Sequence, residues 1–238
     1  MKSDFNRIGI SDELDTARIR HLMKVGLFAA FMVLAGDILI GYGAANSEIA
    51  GIPATFARYL FVSDARLFWA ALLGMIGIPI ECLCYFSIYR LIAPKSARYA
   101  HIYRAGIFGS MIFGACGVHV PCSAAVYFLK KMYAQSPETA LNEALKFILY
   151  FMLPATVVFL IFFAVLNIAQ IAAFAKGLTP LPRWAWIFNV LFGLLAAAIF
   201  KLPNLPLTNG LAAGWISLGN LWTFGGLLIL LKKEGAKK

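Results

Sequence analysis

The chain has 238 residues, of which 61% are apolar and 13% charged, and its mean hydropathy is +0.80. A water-soluble domain averages about 45–50% apolar and about 25% charged residues, so that class is excluded. The 21 basic residues against 11 acidic ones give a formal charge of +10. They are scattered between apolar runs, which suits anchoring and orientation at a membrane, and no nucleic-acid partner is expected.

A helix needs about 20 apolar residues to cross about 30 Å of hydrocarbon. Six stretches approach that length, at 25–43, 67–89, 105–128, 147–174, 184–200 and 211–231. The expected fold is therefore an all-α integral membrane protein. It is a bundle of six transmembrane helices forming a single transmembrane domain over residues 1–238, without repeats or linkers. The first 24 residues lack a small-residue cleavage site behind an early apolar core and do not read as a removable signal peptide. Ser11 and the acids Asp12, Glu13 and Asp15 instead predict a capped N-terminal surface helix on the cytoplasmic side.

Fifteen of the 21 basic residues fall on the side that carries both termini and six on the other, which places both termini in the cytoplasm and the protein in an inner membrane. Trp184 and Trp186 then mark the inner interface, and Trp69 and Trp215 the outer one. Among the outer connections, Ile49, Ile52, Phe56, Tyr59 and Leu60 recur near helical spacing after Ser47 and predict a short interfacial helix. Ser136, Pro137 and Glu138 open a helix that runs on into the fourth span, and residues 201–209 read as an irregular loop.

Ionisable groups at membrane depth cost about 2.5–3.5 kcal/mol each on insertion scales, so they single out candidate functional positions. Asp37 and Glu81 are the acids inside the spans, and His119 is the histidine. Positions three, four and seven residues away from Asp37 and Glu81 are rich in Gly and Ala, and those around His119 include Ala115, Cys116, Cys122 and Ser123. Small residues lie where membrane helices approach closely, so all three groups should face the bundle interior. Counting at about 1.5 Å per residue pairs Asp37 with His119 in the outer half, puts Asn220 at the same height and sets Glu81 and Tyr85 beneath. Pro79 and Pro121, each two residues from one of these groups, free backbone carbonyls beside the expected cavity.

Cys116, His119 and Cys122 invite a metal reading, but three-residue spacings spread them over about 9 Å of helix axis, too far for one tetrahedral ion without a break. No metal and no cofactor are expected. Segments 36–42 (GDILIGY), 77–81 (GIPIE) with the following Tyr85, and 117–119 (GVH) resemble an uncharacterised family of bacterial six-helix membrane proteins. That resemblance implies the architecture and a shared setting for these residues, and no activity.

Burial disfavours charge, so one site can offer a carboxyl group as proton donor and an imidazole as acceptor. The expected function is an intramembrane acid/base enzyme, of isomerase, cyclase or hydrolase type, on a lipid- or terpenoid-like substrate. Asp37, Glu81 and His119 are its catalytic candidates, and Tyr85, Ser123, Asn220 and Trp222 its substrate-binding candidates. Membrane lipids, a hydrophobic small molecule and a second copy of the chain in a homo-oligomer are the expected partners. The alternatives are a small proton-coupled transporter and a structural or accessory subunit in which the same polar groups only hold helices together.

Overall fold

The computed structural model describes residues 14–49 and 51–235. Among them the chain is helical, with no strand. The helices are α1 (Thr16–Gly41), α2 (Ala54–Ala57), α3 (Asp64–Cys84), α4 (Phe86–Ile92), α5 (Ala97–Gly114), α6 (Val120–Gln135), α7 (Pro137–Phe147), α8 (Leu153–Ala175), α9 (Phe192–Lys201), α10 (Pro206–Ala213) and α11 (Trp215–Gly235). Several join end to end, and five stretches are long and apolar enough to cross a membrane: Thr16–Gly41, Asp64–Ile92, Ala97–Gln135, Pro137–Ala175 and Trp215–Lys232.

The expected capped surface helix is not a separate element where the structure describes it. Ser11, Asp12 and Glu13 lie outside the described residues, whereas Asp15 caps α1 by accepting from the Arg18 backbone N–H at 2.9 Å. Residues 16–24 are thus already part of the first long helix. The predicted interfacial helix is cut to one turn of α2 and a 3₁₀ turn at Arg58–Phe61. Ile52 and Ala57 there pack against Leu129 of α6 and Ala140 and Ala144 of α7.

Close contact between helices runs through small residues. On the α1–α3 crossing, a Cβ added at Gly36 would lie 3.1 Å from the Ala70 carbonyl, and one at Gly77 2.4 Å from Val33. On the α5–α8 crossing, Gly106 faces the Leu166 backbone equally closely. Such close approach maximises dispersion contact between the helices.

Two prolines have the same local effect. The π turn Ala115–His119 joins α5 to α6 just before Pro121, and the π turn Ile148–Met152 joins α7 to α8 just before Pro154. Proline has no N–H and its ring crowds the carbonyl one turn back, so the preceding turn widens from four residues to five. The Val120 N–H then bonds to Ala115, and the Thr156 hydroxyl donates to the Met152 carbonyl at 2.9 Å.

The stretch expected as the fifth span differs most. Residues 184–200 are not one helix: a 3₁₀ turn at Arg183–Ile187 ends in a bend, and α9 is ten residues long. Asn189 provides the physical reason. Its Oδ1 accepts from the Leu191 N–H at 3.1 Å, the local side-chain bond by which Asn competes with a helix. The carbonyls this frees are taken by side chains of neighbouring helices, Phe188 by Gln170 Nε2 at 2.7 Å and Ile187 by Trp222 Nε1 at 2.8 Å. The broken segment is then drawn hard against α11. A Cβ at Gly193 would lie 1.8 Å from the Trp215 carbonyl oxygen, and one at Gly219 2.0 Å from that of Val190.

Basic side chains close several helix ends. Arg66 donates to the Leu39 and Tyr42 carbonyls at the end of α1 at 2.6–3.0 Å, Arg20 to Leu231 in α11 at 2.6 Å, and Lys95 to Thr179 beyond α8 at 2.7 Å. Arg66 satisfies acceptors at the end of α1 that lack an intrahelical partner and complements the negative end of that helix.

These contacts make a paired prediction on one helix. Gly219→Ala should lower thermal stability in detergent by about 1–3 kcal/mol, the usual cost of overpacking. Gly225→Ala, whose added Cβ meets only Leu27 at 3.8 Å, should be neutral. Equal melting temperatures for the two variants would contradict this packing.

Candidate functional site

Residues of α1, α3, α5, the π turn Ala115–His119, α6, α8, α10 and α11 converge on a cavity of about 210 Å³, room for about seven waters at about 30 Å³ each or for a small organic group. Its walls are largely apolar, with Ile78, Val118, Phe159, Phe163 and Trp215 among them. Asp37, Glu81, Tyr85, Ser110, His119, Ser217 and Asn220 contribute the polar atoms.

At one end His119 Nδ1 lies 3.7 Å from Asp37 Oδ1, with the side chains 12% and 16% exposed respectively. The other ring nitrogen, Nε2, lies 2.9 Å from the Ala70 carbonyl oxygen. A carbonyl can only accept, so Nε2 carries the hydrogen, and in the neutral ring Nδ1 is the free lone pair, turned toward Asp37. Two local features set that orientation. The π turn Ala115–His119 widens the helix where His119 leaves it. Gly74 leaves the ring its space, since a Cβ there would lie 2.0 Å from His119 Cδ2. The second Asp37 oxygen, Oδ2, accepts from the Ser217 hydroxyl at 2.8 Å.

The other end is built from α3, the turn that follows it, and α11. Tyr85, at the α3–α4 junction, donates its hydroxyl hydrogen to Asn220 Oδ1 at 2.5 Å. Its ring packs between Tyr103 and Phe224, with centroids 6.4 and 5.5 Å away. Glu81 is buried beside Asn220, and its Oε1 has no hydrogen-bond partner. Asn220 Nδ2 and Ser110 Oγ are also buried without partners. Buried polar atoms usually find one, and unpaired atoms gathered around a cavity are groups that a bound molecule can satisfy.

Of the residues expected from sequence, Asp37, His119, Glu81, Tyr85 and Asn220 line this cavity. Asn220 is hydrogen-bonded to Tyr85 and not to Asp37. Ser217, one turn earlier on α11, is bonded to Asp37, and Asn220 meets Tyr85 and Glu81. Ser123 is buried, with an unpartnered hydroxyl, but does not line the cavity. Trp222 does not belong to the site. Its indole N–H is bonded to Ile187, its ring packs on Phe188 and Phe192, and it is largely exposed. Trp215, expected as an interface anchor, is instead a cavity wall set edge-on to Phe163 at 5.7 Å.

The Ser217 hydroxyl could have been read from its i−3 spacing to Asn220. The Ala70 carbonyl has no side-chain signature. Cys116 and Cys122 are exposed, and among the described residues no three His, Cys, Asp or Glu side chains are grouped to hold a metal ion.

The arrangement defines a class: an all-α bundle of apolar helices around a central cavity, with a His–Asp pair at one end and a carboxyl–amide–phenol group at the other. The chain belongs to a family of unknown function, DUF6796, which matches residues 1–234. No curated protein and no solved structure matches it.

The His119 geometry can be checked directly. Nitrogen-15 NMR of histidine-labelled protein should show His119 as the Nε2–H tautomer. Gly74→Ala should change that signal by displacing the ring, while the fold persists. A spectrum indifferent to Gly74→Ala would refute the contact.

Proposed function

We propose that this protein is an integral membrane acid/base enzyme acting on a hydrophobic, lipid- or terpenoid-like molecule held in the central cavity. One observation carries the reading: two separate sets of proton-bearing side chains, His119 with Asp37 and Glu81 with Asn220 and Tyr85, face the same apolar cavity. An isomerisation, cyclisation or hydrolysis needs a base at one position on the substrate and an acid at another. His119 Nδ1 is the base, Asp37 orients the ring and stabilises the imidazolium, and Glu81 is the proton donor. Tyr85 and Asn220, bonded to each other beside Glu81, bind the substrate's polar group.

The membrane setting is supported by the exposed side chains. Tyr150, Phe151, Ile161, Ile168 and Ile199 are each more than half exposed, and an apolar surface of that extent suits lipid. In this setting the broken segment 183–201 is the sixth crossing, tolerated because side chains close its freed carbonyls. On this reading the membrane is a bacterial inner membrane and both termini lie on its cytoplasmic side, the side that carries the excess of basic residues.

Topology is tested with a cysteine appended after Lys238. An impermeant thiol reagent should label it in inverted vesicles and not in intact cells, and labelling of intact cells would reverse the orientation.

The chemistry is tested by extracting and identifying apolar molecules that copurify, then incubating the protein with them. The expected product is an isomer, a cyclised form or a hydrolysis fragment. Asp37→Asn, His119→Gln and Glu81→Gln should keep the fold and reduce turnover by at least about 100-fold, because amides retain shape and hydrogen bonding but cannot carry the proton. Amide variants as active as the parent would overturn the enzyme reading. If the groups only hold helices together, the amides should be silent, and the alanine variants should lose about 1–3 kcal/mol of stability.

A further inference from the structure

A second cavity, of about 200 Å³, lies between α6, the α7–α8 junction and the 54–61 segment. Ala125, Val126 and Leu129 line it from α6, Leu141, Leu145 and Ile148 from the other side, and its polar side chains are Tyr59 and Cys122. Arg58 already occupies the Tyr59 hydroxyl at 3.0 Å.

Cys122 is the one residue that lines both this cavity and the central one of about 210 Å³. It sits one helical turn after His119 on α6. Both π turns border the pair: Val118 and His119 of the first line the central cavity, and Ile148 and Met152 of the second line the outer one. A π turn admits one extra residue and widens the helix locally. The two proline-linked turns therefore loosen the wall on each side of a small side chain. Singly, the cavities fall below the roughly 300–1,000 Å³ of typical ligand sites, and joined they reach that range.

We infer that the two cavities form one bent site for a single-chain amphiphile, with its polar end against His119 and Glu81 and its apolar chain passing Cys122 into the space between α6 and α7. The distribution of polarity selects that ligand class. Among the residues lining the two cavities, those with buried unpaired hydrogen-bonding atoms, Glu81, Ser110 and Asn220, all belong to the central one, so the ligand has one polar end. The passage is the width left by one cysteine, so it admits one chain and no fused rings. From His119 to Leu129 the path runs about 15 Å along α6, which sets the chain length. The outer mouth, flanked by the exposed side chains of Phe56 and Leu145, opens on the surface assigned to lipid. This inference rests on the proposed function for the polar end and adds the chain path.

The test uses the full-length protein in nanodiscs, with Cys116→Ser as background and two photoreactive probes carrying a terminal diazirine, dodecanol and butanol. Photolysis and peptide mass spectrometry should place the dodecanol cross-links on residues 141–152 and the butanol cross-links on the central wall at Phe159 and Phe163. Alkylating Cys122 of the folded protein with N-ethylmaleimide, and separately the Cys122→Trp variant, should reduce the 141–152 cross-links at least tenfold and leave the butanol cross-links in place. Dodecanol cross-links confined to the central wall, or unchanged by alkylation, would overturn the shared site and leave the proposed function standing. Absence of cross-links from both probes at either cavity would overturn both.

Discussion

The constraint on which this structure depends is that a backbone carbonyl in apolar surroundings must find a donor. Continuous helices meet it internally, and several departures from a continuous helix are closed by a named group. The π turns before Pro121 and Pro154 re-pair the ladder with wider bonds. Gln170 and Trp222 close the break before α9, and Arg20, Arg66 and Lys95 close helix ends. His119 answers the same need, because its Nε2–H binds the Ala70 carbonyl. The site is therefore not added to a finished scaffold: one of its principal residues is held by the rule that holds the scaffold.

That dependence explains which parts of the molecule could be read from sequence. Asp37, Glu81 and His119 stood out because a charge inside an apolar run is costly, and the small residues on their faces gave the direction in which they point. Their meeting at one cavity follows from those two facts. Hydropathy, however, counts residues and does not register where a side chain turns back on its own backbone. Residues 184–200 are apolar enough for a span, yet the Asn189 side chain bends the chain in the middle. Trp222 is a related case. An indole two residues from a site asparagine resembles a binding group, but its N–H is committed to the Ile187 carbonyl, which becomes free only once the break exists. Asp15 caps α1, so residues 16–24 belong to the first long helix, and the 54–61 segment, a turn of α2 and a 3₁₀ turn, packs on α6 and α7.

The glycines show how the scaffold and the site share one economy of space. Gly36, Gly77, Gly193 and Gly219 bring backbones together, whereas Gly74 leaves a vacancy the size of an imidazole. A methyl group at Gly74 would satisfy helix propensity better and would exclude the ring. The small-residue faces that allow α1 and α3 to pack are thus the same faces that admit His119 between them.

The hydrogen-bond assignments also limit the direction in which a proton can move. Ser217 occupies Asp37 Oδ2 and Ala70 occupies His119 Nε2, which leaves Oδ1 and Nδ1 as the remaining positions, 3.7 Å apart. That separation exceeds a direct hydrogen bond and fits a pair bridged by one atom of a bound molecule or by a water. Tyr85 likewise occupies Asn220 Oδ1, so Asn220 presents only its Nδ2 hydrogens, the complement of an oxygen acceptor. A ligand that satisfies these three positions therefore offers a hydrogen to the Asp37–His119 end and an oxygen lone pair to Asn220. That is the polarity expected of a substrate that loses a proton at one position and is held by an oxygen at another.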